Sequence, residues 1–150
     1  MPTDAAAAAR LRAYSLLEAA QGDAPEDALA ELVTLEAEAT RHGWGQAAFL
    51  AAAGRAVHAL VRREPPVAEE LVEELVDRAE AVGAPALLGI ALSLRAVTAA
   101  RREDSAALLA DAGRAVVLVD DESLPALDRC CALVVSAGTA ATSPFRTASR

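Results

Sequence analysis

The chain has 150 residues, enough for one domain with a real core and short for two; 54 % of them are hydrophobic but only 3 % are aromatic, so the core must be built from Ala, Leu and Val. Such residues favour close-packed helices, because Ala carries no side-chain entropy cost in a helix and Leu carries little, and the expected fold class is all-α. A formal net charge of -8 repels phosphate backbones and anionic headgroups, which counts against nucleic acid and membrane surfaces as partners, and Arg, Asp or Glu breaks every apolar run before the roughly 20 residues needed to cross a bilayer.

The first residues, MPTDAAAAARLRAYSLLEAAQ, do not fit a secretory signal: an Asp precedes a weakly apolar Ala run that Arg10 and Arg12 interrupt. The expected location is therefore the cytoplasm. From Asp4 to about Gln21 the pattern predicts a first helix with Leu11, Tyr14, Leu16 and Leu17 as its stripe and Gly22 as its stop. A second helix starts after Asp23, with Pro25 in its first turn and Glu26 and Asp27 facing the positive end of the dipole. It buries Leu29, Leu32, Val33, Leu35 and Ala39 and ends at Gly43.

A third helix is expected from about Trp44 to Arg63, broken by Pro65 and Pro66. The fourth, about Val67 to Val82, sets Leu71, Val72, Leu75, Val76, Ala79 and Val82 against a solvated acidic face of Glu69, Glu70, Glu73, Glu74, Asp77 and Glu80. The fifth, about Pro85 to Arg102, is apolar around most of its circumference through Leu87, Leu88, Ile90, Ala91, Leu92, Leu94 and Val97, which predicts neighbours on both sides. A sixth from Ser105 to Val119 uses Leu108, Leu109, Ala112, Val116 and Val119, and Pro125 opens a seventh that turns Leu127, Cys131 and Val134 inward. Cys130 and Cys131, adjacent on that helix, suit neither a disulfide framework nor a metal site and read as small core hydrophobes. The tail TSPFRTASR lacks periodicity, so the expected organisation is a helical-repeat domain over residues 1–141 and an unstructured tail over 142–150.

Arg-Ala-Val occurs at Arg55, Arg95 and Arg114. The first two are separated by the same interval as the stops Gly43 and Gly83 and the starts Pro85-Ala86-Leu87 and Pro125-Ala126-Leu127, a period of about 40. The repeating unit is thus a helix pair, and the third Arg-Ala-Val, half a period further on, is a coincidence in an Ala-rich chain. For the sixth helix an offset of about 37 aligns Leu71, Val72, Leu75, Ala79 and Val82 with Leu108, Leu109, Ala112, Val116 and Val119, which predicts that the loop before it is about three residues shorter.

Leu88-Gly89 followed by Leu92, with Pro85 and Pro125 closing units, resembles a degenerate tetratricopeptide-type repeat, although no aromatic residue fills that family's Tyr and Phe positions. More loosely, over about Leu16 to Val135, the run LLGIALSLRAV, LLADAGRAVVLVDD and LPALDR looks like the helical-repeat amino-terminal regions attached to GGDEF diguanylate cyclases in actinobacteria. This resemblance implies stacked antiparallel helix hairpins, about seven helices in all, with a sensory or protein-binding role. It carries over no cyclase activity, because the Gly-Gly-Asp-Glu-Phe signature is not in the sequence.

His42 and His58 are the only histidines, and neither has a cysteine or the other histidine at the helical spacing of three or four that would complete a metal pair. No phosphate loop, nucleophile elbow or HExxH is present, so the expectation is a non-catalytic protein without a cofactor. Stacked hairpins offer an extended surface lined by the first helix of each pair. On the third, fifth and seventh helices the polar groups available to a protein or peptide partner are Gln46, Arg55, His58, Ser93, Arg95, Asp128 and Arg129. Arg55 and Arg95 could hold an acidic peptide, or else pair with Glu or Asp of adjacent helices. A homodimer, or a small-molecule sensor built around the fifth helix, are the alternatives.

Overall fold

A computed structural model describes residues 4–20, 25–62 and 64–119, and all their regular structure is α-helical. The six helices are α1 Asp4–Ala19, α2 Pro25–Arg41, α3 Gly45–Val61, α4 Pro65–Val82, α5 Pro85–Arg101 and α6 Ser105–Val119. The expected seventh helix and the tail lie outside the described residues.

Helices α2 to α6 begin at 25, 45, 65, 85 and 105, a uniform pitch. The same backbone closure recurs along it. The amide N–H of Trp44, Glu64 and Asp104 donates to the carbonyls of Ala39, Ala59 and Ala99 at 2.8, 3.0 and 3.0 Å. These bonds supply a donor to a carbonyl near the end of each helix, where the regular ladder runs out. Left-handed backbone sits at Gly43, Gly83 and Glu103, with φ of 71°, 69° and 60°. The two glycines take that conformation without steric cost, and Glu103 does not. Asp104 then caps α6, accepting the Ala107 N–H at 3.0 Å.

Two expectations are corrected here. Pro65 and Pro66 do not break the chain before α4 but form its first turn, where the missing N–H groups have no helical acceptor anyway. Nor is the connection before α6 shortened: α4 starts at 65 and α6 at 105, the same interval that separates α2 from α4 and α3 from α5. Leucines and valines of α4 and α6 align at an offset of about 37, but the turns set the helix starts and space them evenly.

Contacts divide the chain into two compact units, Met1–Leu71 and Val72–Arg150. In the first, α3 packs on both α1 and α2. Every α3 residue from Ala47 to Leu60 is buried except Arg55, which is half-buried. The sequence singles out α5 for such all-round burial; α3 reaches the same burial with Ala in several of the positions that α5 fills with Leu, Ile and Val. Gly54 is what allows the approach to α2: a Cβ built there would stand 2.7 Å from Leu32 Cδ2 and 2.8 Å from Cδ1. On α1 the buried side is Ala9, Ala13, Leu16 and Leu17, whereas Leu11 is 54 % exposed. On α2 it is Ala28, Leu32, Leu35 and Ala39, with Val33 exposed.

In the second unit α5 is buried on every side, from Ala86 to Ala100, apart from half-buried Leu88 and Arg95. It packs against α6. The buried positions of α6 are Asp111 and Ala115, not the expected Leu109 and Val116, which are 71 % and 60 % exposed. On α4, Val72, Leu75, Val76 and Ala79 are buried as expected, Leu71 is half-buried, and Val82 is exposed.

Candidate functional site

Among the described residues, those expected to face a partner make hydrogen bonds or ion pairs within the chain. On α3, Gln46 accepts a hydrogen bond from Arg10 Nη1 at 3.0 Å, and Arg55 Nη1 reaches Glu36 Oε2 of α2 at 2.6 Å. His58 is buried, its Nε2 lying 3.3 Å from Glu26 Oε1 on α2. That carboxylate oxygen is shared with Arg62 Nε at 3.1 Å. On α5, buried Ser93 donates its hydroxyl to the Gly89 carbonyl one turn back at 2.8 Å. Arg95 meets Asp111 of α6 through two parallel bonds, Nε to Oδ2 at 2.8 Å and Nη2 to Oδ1 at 2.9 Å, while Nη1 stands 3.4 Å from Glu73 Oε2 on α4. Asp128 and Arg129 lie outside the described residues.

Gln46, Arg55 and His58 thus belong to the first unit, Ser93 and Arg95 to the second. The two equivalent arginines join helices, Arg55 through Glu36 of α2 and Arg95 through Asp111 of α6 and Glu73 of α4. The hydrogen bond that Arg95 donates to Asp111, reinforced by the charges of Asp111 and Glu73 and opposed by partial burial, raises the Arg95 guanidinium above the ordinary arginine value. Arg114, bearer of the third Arg-Ala-Val, is exposed, with Nη2 3.9 Å from Glu80 Oε1 on α4.

What the first unit does present is an open groove of about 360 Å³ lined by Arg12 of α1 and by Ala30, Glu31, Thr34, Leu35 and Glu38 of α2. Buried Leu35 supplies an aliphatic floor. Arg12 Nη2 crosses to Glu31 Oε2 at 2.5 Å, and the Thr34 hydroxyl is turned back onto the Ala30 carbonyl at 3.1 Å. Glu38, exposed at the rim, leaves the groove acidic. The α2 residues recur at spacings of three and four, a sequence signal for one outward stripe. The opposing residue, Arg12, depends on the stagger of α1 against α2, which no spacing encodes.

Among the described residues no group of three His, Cys, Asp or Glu side chains is placed to hold a metal ion, and no helix is long and apolar enough to cross a membrane. Comparison with family models, curated proteins and solved structures gives no match.

Proposed function

We propose that this protein is a non-catalytic helical-repeat module, built of stacked antiparallel hairpins of the tetratricopeptide type, that docks a basic segment of a protein partner. The uniform pitch of five successive helix starts supports the repeat reading, since stacked hairpins advance by equal units. The observation that carries the binding reading is the α1–α2 groove: an aliphatic floor at Leu35 beside the exposed carboxylate of Glu38, with Glu31 already paired to Arg12, suits the long stem and cationic head of an arginine or lysine. A net charge of -8 steers such a partner toward the surface. Arg55 and Arg95, expected to hold an acidic peptide, already have carboxylate partners and are not assigned that role.

Titration of the full chain with an arginine-rich peptide and with a glutamate-rich one of equal length tests the reading. Binding of the basic peptide with a Kd on the order of micromolar, weakening with salt, is expected. Glu38→Lys together with Glu31→Lys should weaken it at least about tenfold. Equal binding of both peptides, or affinity unchanged by the double reversal, refutes the assignment.

A further inference from the structure

The contact that spans the α1–α2 groove is itself a cation on a carboxylate. Arg12 Nη2 of α1 lies 2.5 Å from Glu31 Oε2 of α2, with the two side chains 61 % and 50 % exposed. Glu31 and Glu38 both line the groove and stand seven residues apart on α2, which separates them by about 10 Å along the helix axis. The groove thus has two carboxylates for a basic segment, and the chain's own guanidinium sits on one of them.

This pair is built differently from the one that joins α5 to α6. Arg95 meets Asp111 through two parallel bonds, with side chains 24 % and 9 % exposed. Arg12 meets Glu31 through one nitrogen and one oxygen, in water on both sides. An exposed pair of that kind is worth little, because solvent screens the charges and holding two long side chains in one geometry costs entropy. It is easily exchanged. A carboxylate has room for further donors, and its best partner is a guanidinium that grips both oxygens at once.

We propose that Arg12 is a built-in competitor for the groove: its guanidinium occupies Glu31 in the partner's place, and an arriving arginine displaces it. The inference rests on the reading of the groove as the dock of a basic segment. Displacement exchanges one exposed ion pair for another, so a cation gains little at Glu31 unless it makes the two-oxygen contact that Arg12 does not. Arg12 thereby holds down affinity for stray cations and leaves the site to partners that present arginine.

Calorimetric titration of an arginine-rich peptide into the native chain, Arg12→Gln and Arg114→Gln tests this; the last removes an equal charge from exposed α6 in the second unit. Arg12→Gln should tighten binding about three- to tenfold, and Arg114→Gln less than about twofold. In a Glu31→Gln background the gain from Arg12→Gln should fall below about twofold, since no carboxylate is left to release. The substituted side chains are exposed, and circular dichroism checks that each variant is folded. Affinity unchanged by Arg12→Gln overturns the proposal and makes the pair a staple between helices. Affinity weakened by it overturns the proposal in favour of Arg12 as a direct contact of the partner. A gain that persists without Glu31, or that Arg114→Gln reproduces, belongs to net charge and overturns it as well. Absence of binding by the native chain and by Arg12→Gln alike overturns the groove reading with it.

Discussion

Arg95 and Asp111 lock α5 to α6 through a bidentate pair, Nε to Oδ2 at 2.8 Å and Nη2 to Oδ1 at 2.9 Å. Asp111 is 9 % exposed at its side chain and Arg95 24 %, so the pair is shielded on one side and wet on the other. Removing one partner of such a pair leaves a charge without its hydrogen bonds. Asp111→Ala should cost about 3 kcal/mol in urea unfolding followed by circular dichroism, the low end for a buried pair because Arg95 keeps some water and Glu73. A loss under about 1 kcal/mol would place the pair with ordinary surface ion pairs.

The same pair makes a prediction about pH. Folding raises the Arg95 guanidinium above its ordinary value, with the Asp111 hydrogen bond as the main cause. A group raised on folding contributes its stability in full below its unfolded value and loses it only as pH climbs through the folded one. Both lie beyond the accessible alkaline range, so the stability difference between the native chain and Asp111→Ala should stay constant between about pH 7 and about pH 11. A decline within that window contradicts the assignment.

Gly54 and Leu32 should behave as one unit. Gly54→Ala gains about 1 kcal/mol of helix propensity, but its methyl meets two Leu32 carbons, at 2.7 and 2.8 Å, in a fully buried setting, and overpacking costs about 1–3 kcal/mol. Leu32→Ala alone should cost about 2–5 kcal/mol as a cavity. In the double variant the new methyl enters that cavity, so the cycle should show a favourable coupling of about 1 kcal/mol, read by Trp44 fluorescence in urea. Strict additivity would mean that the helices move apart at no cost.

Glu103 holds a φ of 60°, the conformation that Gly43 and Gly83 take in the equivalent turns. A side chain there costs about 1–2 kcal/mol, part of which glycine returns as unfolded-chain entropy. Glu103→Gly should raise the thermal midpoint, with a gain of about 0.5–1 kcal/mol by scanning calorimetry. Gly83→Glu should lose a similar amount.

The starts of α5 and α6 follow from Pro85 and Ser105, and the ends of α2 and α4 from Gly43 and Gly83, because capping and proline effects act within one turn and spacing records them. The burial of α5 on every side is equally legible in Leu87 to Val97. Arg95 stands out as the lone charge in the body of α5 before its terminal Arg101, and Asp111 as the lone carboxylate of α6, yet nothing in their spacing joins them. The α1–α2 groove was not legible, since Arg12 reaches Glu31 only through the way two helices from different stretches are staggered.

The sequence by itself determined an all-α chain, the period of its helix pairs and the turns that punctuate it, since these depend on interactions between residues a few positions apart. Only the tertiary structure decided that α3 is as buried as α5, that Leu109 and Val116 face outward while Asp111 faces in, and that the arginines hold helices together. An alanine-rich helix is nearly the same on all sides in hydropathy. Which side is covered is then set by close approach, as at Gly54 against Leu32, and by where an opposite charge from another helix arrives.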